Sequence, residues 1–147
     1  MLNPCTATDE RAGKLFRDFA RTEYALKEAG FVKRGREQAA EADWEEFARQ
    51  FGDELWSDPL IEKAAQFMAE NPPKKQIFQD GQLCWGAGEK AFNGATLLRC
   101  VRRVRNNLCH GGKERRTDRD ELLMQHSLEI LASCLRACPK LKAAFAN

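Results

Sequence analysis

Leu98-Arg99-Cys100-Val101-Arg102-Arg103-Val104-Arg105-Asn106-Asn107-Leu108-Cys109-His110-Gly111-Gly112-Lys113 is the stretch around which the rest of the chain is read. With Leu97 ahead of it, its apolar residues Leu97, Val101, Val104 and Leu108 recur at spacings of 4, 3 and 4, the period of one buried helix face. The polar positions are filled almost entirely by arginine, asparagine and histidine. Glycine ends helices because it accepts a left-handed backbone cheaply, so Gly111-Gly112 predicts that His110 sits at a helix C-terminus. Exposed carbonyls there favour positive charge. Asn106 and His110 share a face at i, i+4, with Arg102 one turn earlier on that line. Arg105 lies about 100° round the helix, within reach for a long guanidinium.

Charge is concentrated in the same place. Residues 99 to 119 hold Arg99, Arg102, Arg103, Arg105, Lys113, Arg115, Arg116 and Arg119 against Glu114 and Asp118, a local charge of +6. The whole chain carries +2, so the remainder sums to −4. The asymmetry points to an anionic partner at this helix, with a solvated charged face as the plainer reading. At 147 residues the chain is expected to be a single domain, 1–147, and its 43% apolar and 31% charged residues are those of a soluble globular protein.

Working outward, periodicity predicts an all-α protein, an up-and-down bundle of about five helices with an irregular loop at about 71–88. Residues 1–7 are expected to be a disordered lead-in. Thr8 or Asp9 would cap a first helix to about Ala29, stopped by Gly30. Leu15, Phe16, Phe19 and Leu26 form its buried stripe, with Tyr24 at the margin. Lys33, Arg34 and Arg36 make a small basic turn, read as solvated. A second helix is expected from about Ala39 to Leu55, burying Trp44, Phe47, Ala48, Phe51 and Leu55 and turning an acidic face, Glu45 included, to water. A third runs from Pro59 to about Ala69, burying Leu60, Ala64, Phe67 and Met68. Within 71–88, Asp80-Gly81 between short apolar runs admits a hairpin, though runs of two or three residues are short for strands. Gly86-Ala87-Gly88 and Gly112-Lys113 lack the strand and spacing of a phosphate-binding loop. Lys74-Lys75 is a modest candidate for contact with a nucleic-acid backbone. The helix of the opening stretch begins between Glu89 and Ala95. A last helix covers about Asp120 to Ala137, with His126 at its surface or boundary, and the tail adds one short turn.

Six cysteines occur, none in a C-x-x-C pair or spaced with the two histidines as zinc ligands would be. With no secretory signal at the amino terminus they are read as reduced cytosolic thiols, and no metal or other cofactor is expected. No apolar run approaches the roughly 20 residues that span a bilayer.

Arg105-Asn106-Asn107-Leu108-Cys109-His110 resembles the Arg-polar-x-x-x-His motif of the HEPN superfamily (the higher eukaryotes and prokaryotes nucleotide-binding domain). The longer string from Val101 to Leu108, followed by His110-Gly111-Gly112-Lys113, is similar in particular to a branch of small, stand-alone, often plasmid-borne members. Cys109 stands where that branch more often has an aromatic residue. The resemblance implies a helical bundle that dimerises to bring two motifs into one cleft. It implies a toxin-like, metal-independent endoribonuclease, with Arg105 and His110 as the catalytic pair and Asn106 as the supporting polar residue. RNA, a second copy of the chain, and an antitoxin protein would be its partners, the location cytoplasmic, with no membrane.

Physical chemistry supports that assignment of roles. Cleavage of RNA by its own 2′-hydroxyl needs a base, an acid and a cation on the phosphorane-like transition state. Histidine serves as acid or base near neutral pH, and arginine offers a charged planar fork to phosphate. One motif holds one histidine, so a symmetric dimer would supply both proton-transfer groups. Arg99, Arg102, Arg103 and Lys113 would hold the RNA backbone without reading bases. Two other readings stay open: a catalytically silent HEPN module binding RNA, a nucleotide or a partner nucleotidyltransferase, and a structural role in which Arg105 and His110 cap a helix.

Overall fold

In the computed structural model, residues 4–110 and 117–147 are described, with side chains over 9–109 and 117–147. The chain is mostly helical, at 70%, but two small antiparallel sheets make it other than purely all-α.

Helix α1 runs from Pro4 to Glu28. It starts ahead of the expected cap at Thr8 or Asp9, so residues 4–7 are helical and not a disordered lead-in. Proline suits a first helical position, where its missing N–H has no partner to lose. At the other end Gly30 adopts φ +98°. The Phe31 amide donates to the Leu26 carbonyl at 2.8 Å and the Gly30 amide to Lys27 at 3.2 Å, the paired bonds of a glycine-terminated helix.

The basic turn that follows is a hairpin. Strand β1 (Val32–Arg34) pairs with β2 (Ala40–Ala42), placing Val32 opposite Ala42. The second helix therefore cannot begin at Ala39. It is α2, Trp44–Trp56, and Asp43 caps it by accepting from the Glu46 amide at 3.1 Å. A single 3₁₀ turn, Pro59–Ile61, leads into α3 (Glu62–Glu70). The tighter turn exposes Leu60, at 72%, and buries Ile61 in its place, reversing the expectation for Leu60.

Residues 71–88 also depart from the expected loop. Strands β3 (Lys75–Gln79) and β4 (Gln82–Gly86) form a hairpin closed by Asp80-Gly81. Both turn residues have positive φ, +53° and +74°. That is the two-residue turn whose twist matches paired strands, and it sets the register that the short apolar runs leave open. Phe78 and Leu83 face each other across the ladder and are both exposed.

Helix α4, Gly94–His110, is the stretch quoted at the outset. Asn93 begins it: the Thr96 amide donates to Asn93 Oδ1 at 2.9 Å, and the Asn93 amide to Thr96 Oγ1 at 3.0 Å. Helix α5 (Asp118–Ala137) starts with a reciprocal cap between Thr117 and Asp120. After Pro139 the tail forms a full helix, α6 (Pro139–Ala146), in place of one turn. Helix α5 touches each of the other five helices, and α4 lies along α2. Leu97, Leu98, Val101 and Val104 are buried from α4, against a cluster that includes Leu15, Phe47 and Met124. Among the described residues no helix is long and apolar enough to cross a membrane.

Two glycines set the α2–α4 distance. A Cβ on Gly94 would overlap the Gly52 Cα and carbonyl oxygen, whereas one on Gly52 would meet Gly94 Cα at an ordinary 3.6 Å. Gly94→Ala should therefore cost about 3 kcal/mol in urea unfolding, because backbone cannot move aside as a side chain does. Gly52→Ala should be neutral or gain up to about 1 kcal/mol from helix propensity. Equal costs at the two positions would contradict this contact.

A second prediction concerns acid. The Asp58 carboxylate accepts from Ser133 Oγ at 2.6 Å, Arg136 Nη2 at 2.9 Å and the Leu60 amide at 2.9 Å. These donors, Ser133 first, hold its pKa below the usual carboxylate value. Its contribution is then present above the unfolded pKa of about 3.9 and fades as pH falls through the lower folded value. Asp58→Asn should cost about 1 kcal/mol at pH 7, and the gap to wild type should narrow in melts near pH 3. A gap independent of pH would show that the charge plays no part.

Candidate functional site

With Leu97, Val101 and Val104 turned inward, the helical period turns Arg99, Arg103 and Asn106 outward along one line. His110 is the last residue of α4. Its side chain, and Gly111, Gly112 and Lys113, lie outside the described residues.

Arg105 stands at the margin of the buried face. Its guanidinium carbon lies 4.5 Å from the centroid of Phe19, on α1. Phe19 in turn stacks on Trp44 at 5.2 Å and 29°, and Trp44 Nε1 donates to Glu23 at 2.9 Å. Arg105 Nε is buried and has no hydrogen-bond partner among the described residues. Contact with the ring face compensates part of that cost, since an aromatic quadrupole attracts a cation by about 1 kcal/mol or more when water is excluded. The rest of the fork is thereby given a defined direction. Sequence periodicity identifies Phe19 as core but carries no sign that its ring is also a seat for arginine.

The two asparagines divide their duties. Asn106 is half-buried on the outward line. Asn107 donates from Nδ2 to the Lys74 carbonyl at 2.7 Å. From α5, Arg119 donates to the Pro72 carbonyl at 2.7 Å. The segment entering β3 is thus clasped from two helices, a role for Asn107 that the sequence did not suggest.

The arginines expected on a nucleic-acid backbone are not equivalent. Arg99 Nε lies 2.7 Å from Glu89, and its Nη1 3.3 Å from Glu45. Glu89 first, then Glu45, raise its pKa above the ordinary guanidinium value. Arg102 approaches Glu45 at 3.6 Å. The acidic face of α2 is therefore partly turned against α4 and not wholly to water. Arg103 instead lines a cleft of about 290 Å³ with Lys75, Gly88 and Cys100, and Arg99 forms part of the same wall. The structure brings Arg99 and Arg103 to one cleft, joins Arg99 and Arg102 through Glu45, and sends Arg105 to the opposite side, against α1.

His126 sits apart, between α3 and α5. Its Nδ1 is 3.1 Å from Glu129 Oε2, and its ring centroid is 5.0 Å from that of Phe67. Burial pushes the Cys100 and Cys134 thiols up to about 12, which leaves them unreactive near neutral pH. Cys84 and Cys109 are exposed. Among the described residues no group of three histidine, cysteine or acidic side chains is placed to hold a metal.

The Arg105–Phe19 contact can be measured directly. A double-mutant cycle of Phe19→Leu and Arg105→Met should give a coupling of about 1 kcal/mol in unfolding free energy. A coupling within error of zero would mean that the ring does not hold the guanidinium.

No family model, curated protein or solved structure matches the chain, so the reading of this site rests on its own residues.

Proposed function

We propose that the chain is a metal-independent endoribonuclease of the HEPN type, an up-and-down helical bundle acting as a homodimer. The observation that carries this reading is the Arg105-Asn106-x-x-x-His110 run on the closing turns of a helix with one face buried and the other cationic. In the composite site, one His110 imidazole takes the proton of a 2′-hydroxyl, whose oxygen attacks the adjacent phosphorus. The imidazole of the second copy gives a proton to the departing 5′ oxygen. Arg105, given direction by the Phe19 ring, offsets the charge that builds on the phosphoryl oxygens, where a fixed cation is worth most. Asn106 holds the imidazole or the phosphate. A toxin-like role in the cytoplasm, with an antitoxin protein as neutralising partner, belongs to the same proposal.

The test is cleavage of single-stranded RNA by the purified protein in EDTA. Products should carry a 2′,3′-cyclic phosphate and a 5′-hydroxyl, and DNA should be inert. His110→Ala should lower the rate at least ~100-fold while folding and dimerising normally. Arg105→Lys, which keeps charge but loses the planar fork, should fall by a comparable factor. Cleavage that survives His110→Ala, products with a 5′-phosphate, or a protein monomeric at micromolar concentration would reject the mechanism. RNA binding without cleavage would favour the silent-module reading.

A further inference from the structure

The cleft between α4 and the base of the β3–β4 hairpin is assembled from three separate segments: Pro73 and Lys75, Ala87 to Glu89, and Arg99, Cys100 and Arg103 from α4. We propose that it is a subsite for one backbone phosphate of single-stranded RNA, with Lys75 and Arg103 as its two cationic ligands. The proposal rests on the nucleic-acid reading above and adds to it where the strand lies.

Charge is the first ground. The lining carries Lys75, Arg99 and Arg103 against Glu89 alone. Glu89 is engaged by Arg99 at 2.7 Å, so its carboxylate is already compensated. Among the described residues neither Lys75 nor Arg103 is paired with a carboxylate. Two cations without a carboxylate partner among the described residues, one from β3 and one from α4, line one cleft, and a guanidinium with an ammonium suits the oxygens of a small anion such as phosphate.

Rigidity is the second. Asn107 and Arg119 clasp the Lys74 and Pro72 carbonyls, which fixes the backbone from which Lys75 projects. Gly88 packs so closely on the Pro73 carbonyl that a Cβ there would overlap it. On the other wall, Cys100 Sγ donates to the Glu89 carbonyl at 3.3 Å. The walls are therefore held before any ligand arrives, which lowers the ordering cost of binding.

Direction is the third. Arg103 shares its outward line on α4 with Asn106, and two helical turns separate Arg103 from the last residue of the helix, about 10 Å along the axis. A strand held in the cleft by one phosphate and running along this line passes Asn106 at a neighbouring phosphate. Asn107, one residue from Asn106, ties the cleft wall to the motif helix. A free phosphate or nucleotide would use the cleft but not the line, and for that reason we assign the strand.

The test is binding of a short single-stranded RNA made uncleavable by 2′-O-methyl groups, followed by fluorescence anisotropy across a salt series with the full chain. The Lys75→Gln/Arg103→Gln double variant should bind about tenfold more weakly at low salt, with the salt slope reduced by about 0.7, the loss of one phosphate contact to a single strand. The charge-matched control Lys27→Gln/Lys63→Gln should bind as wild type. Adenosine 5′-monophosphate, titrated in parallel, should bind far more weakly than the RNA. Equal loss in the control, unchanged binding by the double variant, or no binding by wild type would each overturn the subsite. So would a nucleotide that binds as tightly as RNA and alone responds to the variants. Because cleavage is not read, binding that follows these expectations in a protein inert toward RNA would reject the nuclease and leave the subsite standing. Cleavage together with an indifferent double variant would do the reverse.

Discussion

Backbone contact between Gly52 and Gly94 is the constraint on which the arrangement of charges depends. Wherever two helices meet through glycines their axes lie closer than side chains permit, and residues a turn or two away are drawn into reach of each other. Here the residues drawn together are Glu45 near the start of α2 and Arg99 and Arg102 on α4. Larger residues at the crossing would widen the gap, and the carboxylate would face water, as its sequence suggests. The same approach seats the apolar face of α4 in the core and so orients its outer line.

That contact sorts a run of like charges into three environments. Arg99 and Arg102 are compensated by carboxylates. Arg105 is compensated by the face of an aromatic ring, which screens nothing but attracts the cation in a poorly hydrated place. Arg103 lines the cleft beside Lys75 and, among the described residues, has no carboxylate partner. Four arginines within seven residues would otherwise repel one another along a single helix, and i, i+4 repulsion is weak but cumulative. Separating them by partner lowers that repulsion and leaves a cationic site confined to one side of α4.

Several elements were legible in the sequence because a local rule governs them. Gly30, Asp43 and Asp58 mark helix ends through backbone groups only a few residues away. The buried faces of α1, α2 and α4 follow from their period. The first hairpin was not legible in this way, and the second only as an option that Asp80-Gly81 admitted. Val32–Arg34 and Ala40–Ala42 are too short to show alternation, and Ala40 and Glu41 are by themselves good helix formers. Pairing across a turn, not propensity, makes them strands. At residues 75–86 the turn chemistry of Asp80-Gly81 outweighed the brevity of the apolar runs. Leu60 was misplaced because one 3₁₀ turn rotates the following side chains relative to an α-helical count.

The sequence by itself determined that α4 exists and which of its residues face inward and outward, since a 3.6-residue period fixes the direction of every Cα–Cβ bond from neighbours in the chain. It could not determine what each arginine touches. A guanidinium ends several bonds beyond its Cβ, and its position is chosen by the groups that packing brings within that reach. Glu45, Phe19 and Lys75 come from three other elements, and nothing in residues 99 to 105 encodes their proximity. Only the tertiary structure, by setting those elements around α4, decided which cation is paired, which is stacked and which lines the cleft.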